Sequence, residues 1–338
     1  MSNSSITSTS HLNQGASLEQ LATTPELSLP QSYCINAKQQ LFATDAIADY
    51  DEAMPELVVF SDTSIQQLTQ LLVIIEQTQL TLTAINHRAG RTSLRFAIAN
   101  QVLNKKALLN EFAIEQGIEL ALIDAAPSLS RPGLLVMDMD STAIDIECID
   151  QIANLAGVGK EVSEVTERAM QGELDFAQSL RQRVSKLSGA EADILARVGE
   201  QLPFMPGLKT LVSTLHQHQW KVAVVSGGFT YFTDILKHQL QLDATQANVL
   251  EIVDNKLTGK VLGNITDAQA KADTLRRLAT EFAINDRQTV AMGDGANDLL
   301  MLNAAHFGVA YKAKPVVLQQ ASAAINTRGL DTLLHYLK

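Results

Sequence analysis

Two carboxylates set two positions apart, Asp138 and Asp140, follow directly on an apolar run in Leu134-Leu-Val-Met-Asp-Met-Asp-Ser-Thr142. Like charges this close cannot share an apolar pocket cheaply, because each raises the other's pKa unless a cation neutralises them. A hard divalent cation such as Mg²⁺ would serve, since it takes oxygen ligands and tolerates a site completed by water and an anion. Alone, the pair could equally do no more than cap a strand or turn. Two further carboxylates stand in Gly293-Asp294-Gly295-Ala296-Asn297-Asp298. Neither cluster is a calcium loop: counted from Asp294 the third position is Ala296 and the twelfth Ala305, and counted from Asp138 the sixth is Ala143 and the twelfth Ile149.

Groups suited to an anion lie between these clusters. In Ser226-Gly227-Gly228-Phe229 the glycines let the backbone approach a ligand closely, the serine adds a hydroxyl donor, and N–H groups at the start of a following helix would favour negative charge. Such a tripeptide is by itself more often a plain turn. Lys271 would add a positive charge, although one lysine on a helix is ordinarily solvated. It is the set that has meaning.

The elements needed to position the set can be read from the apolar pattern. Leu134–Met137 is a short apolar run bounded by polar residues, as in a strand buried on both faces of a parallel sheet, and this puts Asp138 at the strand's carboxyl end. Val222–Val225, Thr289–Met292 and Phe307–Ala310 repeat the pattern, and the SGG, GDGAND and DMD segments each follow such a strand. In open α/β sheets that edge is where ligands bind. Lys271 stands near the start of a helix opening at Thr266 or Asp267, and residues 248–263 read as a hairpin turning near Asp254-Asn255-Lys256. Helical patterns from about 146 to 201, inserted straight after the first strand, predict a cap over the active edge.

Ahead of this lies a different pattern. Residues 57–125 read β-α-β-β-α-β, the ferredoxin-like split βαβ order, with Gly117 a C-terminal helix cap. Such a module could serve dimerisation or ligand binding. Residues 126–132, with Pro127 and Pro132, predict a linker to a second domain over 133–338. Residues 1–56 carry seven acidic residues against one basic, Lys38, and read as a disordered or weakly structured lead-in.

Composition narrows the function classes. With 338 residues, 46% hydrophobic and 19% charged, the chain can bury two sizeable cores. A net charge of −11 argues against a surface for a nucleic-acid backbone. No run of 18 uncharged apolar residues occurs, and MSNSSITSTS lacks the basic flank and apolar stretch of a secretory signal, so the reading is cytoplasmic with no membrane partner. Two cysteines, Cys34 and Cys148, make no disulfide framework or CxxC pair, and the histidines show no metal-ligand spacing.

DMDST, SGG, a downstream lysine and GDGAND, in that order and with those gaps, resemble the four motifs of the haloacid dehalogenase superfamily. Within the cap, Glu147, the run Met170-Gln-Gly-Glu-Leu-Asp-Phe-Ala-Gln-Ser-Leu180 and Arg183-Val184 resemble its phosphoserine phosphatase family, in the bacterial form with an ACT-like front domain. The resemblance covers residues 133–338. It implies a doubly wound parallel α/β sheet with an inserted helical cap and an N-terminal α+β, ACT-like domain. It also implies Mg²⁺-dependent hydrolysis of O-phosphoserine.

By resemblance, Asp138 is the nucleophile that becomes an aspartyl phosphate, and Asp140 protonates the leaving oxygen and then activates water. Asp138, Asp294 and the main-chain carbonyl of Asp140 would hold the metal, with Asp298 supporting through water. Ser226, Gly227 and Lys271, with Asn297 nearby, would hold the phosphate. Glu147 and Arg183 would take the substrate's ammonium and carboxylate, with Phe176 two helical turns before Arg183. Two rival readings stay open: a related phosphomonoesterase or phosphotransferase with another small substrate, and a regulatory amino-acid-binding protein working through residues 57–125.

Overall fold

The computed structural model describes residues 17–23, 29–35, 41–44 and 54–338. The chain divides into two compact units. One takes the described residues up to Ala126 together with Ala323–Arg328 and Thr332–Leu337; the other takes Pro127–Ser322, Gly329–Asp331 and Lys338.

The front unit holds α1 (Glu19–Ala22), β1 (Gln31–Ile35), β2 (Leu41–Thr44), β3 (Glu56–Phe60), α2 (Ile65–Ile74), β4 (Gln79–Arg88), β5 (Arg91–Ala97), α3 (Lys106–Gln116) and β6 (Leu120–Ile123). From β3 onward this is the predicted β-α-β-β-α-β series, and its strands pair antiparallel in the order β4-β5-β3-β6, the split βαβ arrangement. Ser64 opens α2 with a reciprocal Ser64/Gln67 capping box, and Gly117 closes α3 at φ 62°, a left-handed position that glycine takes without steric cost. Leu68, Leu71, Leu82, Phe96 and Leu109 are among the residues buried in its core.

Where the lead-in reading of residues 1–56 falls on described residues, the structure amends it. β1 and β2 extend the same sheet, β1 pairing with β4 and β2 with β1, and Leu18 and Leu21 are buried. The strand character of β1 escapes a hydrophobic pattern because a hydroxyl pair, Ser32 Oγ to Thr81 Oγ1 at 3.0 Å, replaces apolar contact on one face. The rest of that stretch lies outside the described residues.

The second unit is built on β7 (Leu134–Met137), buried along its whole length. It is followed by α4 (Cys148–Leu155), α5 (Gly159–Met170), α6 (Phe176–Lys186) and α7 (Asp193–Gly199), the helical cap. The core then resumes with α8 (Leu208–Gln217), β8 (Lys221–Phe229), α9 (Thr230–Leu240), β9 (Ala244–Val253), β10 (Lys256–Leu262), α10 (Ala268–Glu281), β11 (Thr289–Gly293), α11 (Leu299–Ala304), β12 (Phe307–Tyr311) and α12 (Pro315–Gln320). The strands run β10-β9-β8-β7-β11-β12, with every neighbouring pair parallel except β9 and β10. After β7 the chain goes to β8 and β9 on one side and then returns to β11 on the other. The carboxyl end of β7 is thus the point where strand order reverses, the place at which open α/β sheets bind their ligands.

Two connections differ from simple spacers. The linker's second half is pinned: Gln288 accepts from Ser128 N at 2.8 Å and donates to the carbonyls of Ser128, Arg131 and Pro132 at 2.9, 3.1 and 3.3 Å. The β9–β10 turn uses Asp254 and Asn255 at φ 49° and 59°, the left-handed pair that a tight hairpin demands. Beyond α12 the chain forms β13 (Ala323–Ile325) and α13 (Leu333–Tyr336), both in the front unit.

Candidate active site

Parallel pairing of β7 with β8 and β11 brings the three strand-end segments to one edge. The ladder runs one residue past β7, where Asp138 N donates to Met292 O at 3.0 Å. A carboxylate oxygen from each of Asp138, Asp294 and Asp298 then lies within 4.8 Å of the others. Lys271, in the first turn of α10, reaches this group with Nζ 2.8 Å from Asp138 Oδ2 and 2.8 Å from Asp298 Oδ1. The helix is aimed by its cap, Asp267, whose side chain accepts from Ala270 N at 2.9 Å.

Backbone and hydroxyl donors fix the carboxylates further. Asp138 Oδ1 accepts from Met139 N at 2.7 Å, Asp298 Oδ2 from Gly295 N at 3.0 Å, and Asp294 Oδ1 from the Thr142 hydroxyl at 3.1 Å. Lys271 is only 1% exposed. Burial alone would depress its ammonium, but Asp138 and Asp298 outweigh that and hold it above its ordinary value. The acids remain under-neutralised. Burial and then Asp298 push Asp138 well above the usual carboxylate range despite Lys271, and the same two causes raise Asp294 to about 6.

Asp140 sits apart from that trio. Its Oδ1 accepts from Cys148 N at 3.4 Å, and burial, then the charge of Glu147, raise it to about 7. Ser141 at φ 56° turns the chain here, and its hydroxyl donates to Glu147 Oε1 at 2.8 Å. The Cys148 thiol is pushed far up by burial and then by Asp140, which makes it an inert neighbour rather than a nucleophile.

On the facing strand, Ser226 Oγ accepts from Gly228 N at 2.8 Å. A Cβ added at Gly228 would stand 3.0 Å from Asp140 Oδ2 and 3.1 Å from Ser226 Oγ, so Asp140 and Ser226 flank this glycine. At Gly227 an added Cβ would fall 2.5 Å from Phe176 Cζ: the cap's phenyl ring closes over the loop, and the contact requires glycine. Rather than ending before the SGG segment, β8 continues through Phe229 with an irregular register against β9. Arg183, about two turns along α6 from Phe176, is half-buried; its Nε has no hydrogen-bond partner. Burial lowers its pKa, while Asp150, Glu147 and Asp140 pull the other way. Asn297 stays within its own turn, its Oδ1 close to Gly295.

Thr142, Met139 and Asn248 also build the site. Met139 Cε lies under Gly228, and Asn248 Nδ2 donates to Gly227 O at 2.8 Å. Thr142 stood in a conspicuous motif but without a visible partner, and Asn248 is marked by nothing in the local pattern.

A family model for haloacid dehalogenase-like hydrolases matches residues 133–306. The chain is 61% identical over 213 residues to a phosphoserine phosphatase of Vibrio cholerae, covering 63% of this chain and 65% of that protein. It is 54% identical over 224 residues to a phosphoserine phosphatase of Haemophilus influenzae, covering 66% of this chain and 71% of that one. The match thus spans about two thirds of these relatives' length. In fold, the crystal structure of a probable phosphoserine phosphatase from Vibrio cholerae, unliganded, superposes with a TM-score of 0.75 at 46% identity, covering 86% of this chain and 88% of that one. No helix among the described residues is long and apolar enough to cross a membrane. With the motif carboxylates gathered at the reversal point of a doubly wound sheet and a family match over half its length, the chain belongs to the haloacid dehalogenase-like hydrolases.

Proposed function

We propose that the protein is a phosphoserine phosphatase, hydrolysing O-phosphoserine to serine and phosphate through an aspartyl phosphate on Asp138. The observation that carries this reading is the placement of two carboxylates at one strand end: Asp138, 2.8 Å from the buried Lys271 ammonium, and Asp140, set apart from that ion pair beside Glu147 and raised to about 7. The relatives' shared activity supports the substrate.

The residues fit a hard divalent cation. The donor set is all oxygen, it spans 4.8 Å, and it carries three carboxylates against one ammonium. Asp138, Asp294, the Asp140 carbonyl and Asp298 would hold Mg²⁺, which when bound offsets the acids' mutual repulsion and draws charge from a phosphoryl oxygen. Asp138, as the carboxylate, attacks phosphorus; the new P–O bond forms as the serine ester bond breaks. Asp140, raised to about 7 and so able to carry or release a proton near neutral pH, gives its proton to the departing serine oxygen, then takes one from the water that attacks the aspartyl phosphate. Lys271 and the Ser226–Gly227 segment stabilise the charge on the equatorial oxygens.

Glu147 and Arg183 carry the signs needed for an ammonium and a carboxylate, and the unpaired Arg183 Nε suits a charge-assisted contact. Phe176 closes the site over Gly227. Phosphate release from a panel of phosphomonoesters, with and without Mg²⁺, tests the reading. Preference for phosphoserine with Mg²⁺ is expected; metal-independent release, or indifference to the ester, overturns it.

A further inference from the structure

Asn248 lies on β9, is 1% exposed, and carries no charge or nucleophile, yet its amide joins two segments of the site. Its Nδ2 donates to Gly227 O at 2.8 Å, and its Oδ1 accepts from Thr266 N at 2.8 Å, just ahead of the helix that presents Lys271. These two partners fix which end of the amide is which. The Gly227–Gly228 peptide, being planar and trans, points its carbonyl and its N–H in opposite directions. Anchoring the carbonyl on Asn248 therefore aims the Gly228 N–H the other way, where it meets Ser226 Oγ at 2.8 Å. A serine oxygen that already accepts this bond has its own O–H left to donate.

We infer that Asn248 is a positioning residue for the phosphatase reaction, acting through the Gly227–Gly228 peptide to turn the Ser226 hydroxyl toward the substrate's phosphate oxygens. The inference rests on the phosphatase reading. Gly227 and Gly228 leave that peptide conformationally loose, and the facing Phe176, a phenyl ring, has no hydrogen bond to offer it. Of the side chains, Asn248 supplies the tether. Its second bond, to Thr266 N, keeps the phosphate loop and the start of α10 in one frame, so both groups that would meet the phosphate are registered by a single amide.

The test is a double-mutant cycle read on two quantities, kcat/KM for phosphoserine and the affinity for orthophosphate measured by calorimetry with Mg²⁺. Asn248→Ala should lower both by about 10- to 100-fold, the usual cost of removing a group that orients a direct ligand. Asn248→Asp, nearly isosteric, keeps the acceptor for Thr266 N but sets a carboxylate against the Gly227 carbonyl, and should do the same while remaining folded by circular dichroism. In a Ser226→Ala background, Asn248→Asp, which keeps the bond to Thr266 N, should cost less than about a further twofold, because the group that the Gly227 bond acts through is gone. Wild-type kcat/KM and phosphate affinity in folded Asn248→Asp would overturn the inference, as would losses that multiply in the double variant. If the wild type binds orthophosphate but leaves phosphoserine intact, the substrate assignment falls, and Asn248 is then judged on phosphate affinity alone.

Discussion

In the front unit the buried carboxylate of Glu119 is ringed by donors from its own chain. The backbone N–H groups of Asn326, Thr327 and Arg328 reach it at 3.2, 2.8 and 3.1 Å, and the hydroxyls of Thr327 and Tyr336 at 3.0 and 3.2 Å. Nearby, Arg95 is paired with Glu56 at 2.6 Å and donates to the carbonyls of His335 and Leu337. At the end of β7 the opposite holds: Asp138, Asp294 and Asp298 crowd within 4.8 Å, and among the described residues only Asp138 and Asp298 are ion-paired, both to Lys271. A carboxylate whose demands the chain meets holds a fold together; a cluster left short of positive charge is shaped for something the chain does not contain. That distinction separates the structural acids from those proposed for chemistry better than burial does, since Glu119 and Asp138 are both buried.

The sharpest way to break the comparison is Asp138→Asn. The amide fills the same volume, so the protein should fold, yet turnover should fall by about 10³-fold or more with the loss of the nucleophile. Phosphate release and acid-stable phosphate labelling report it; label retained on another residue would refute the role. Next come paired removals of the buried cations. Lys271→Met and Arg95→Met each strand a carboxylate and should cost about 3–5 kcal/mol in urea unfolding. Saturating Mg²⁺ should restore part of the loss for Lys271→Met and none for Arg95→Met; equal rescue of both would erase the contrast.

The front unit should also show a pH dependence of its own. His335, bonded to Ser93 Oγ at 2.8 Å and Arg88 O at 3.0 Å and facing Arg88, Arg91 and Arg95, is lowered to about 4 chiefly by burial. An unfolded imidazole takes a proton below its ordinary 6.5 while the folded one refuses it until about 4. Stability is therefore full above pH 6.5 and falls by up to about 3 kcal/mol as pH drops to 4. Denaturation midpoints across that window, with His335→Gln flattening the slope, check the assignment. The smallest effect concerns selectivity. Arg183→Ala or Glu147→Gln should harm phosphoserine by about 1.5–3 kcal/mol more than a phosphate ester lacking amino and carboxyl groups, read as a ratio of kcat/KM values. Equal losses on both esters would make these side chains structural.

The chemical half of this comparison was the more legible in the sequence, and for a physical reason. A buried parallel strand must be apolar on both faces, so carboxylates abutting such runs at Asp138 and Asp294 stand out, and the helix start near Asp267 marks where Lys271 points. Asn248 left no such trace, because one asparagine in a strand reads the same whether it faces water or holds a carbonyl. Nor did residues 323–337 announce their partner, because which core a terminal segment joins is decided by packing across the chain. β1 was hidden likewise by its Ser32–Thr81 hydroxyl pair.

The membership of Ala323–Arg328 and Thr332–Leu337 in the front unit bears on the protein's birth. Domains ordinarily fold as they leave the ribosome, the N-terminal one first. Here Arg88 and Arg95 await the carbonyls of Leu334, His335 and Leu337, and Glu119 awaits the amides of residues 326–328. The unit translated first is therefore completed only once residues 323–337 have been made. Its sheet waits through the synthesis of some two hundred residues for the segment that closes it, and chaperone dependence should follow that interval rather than the size of the unit.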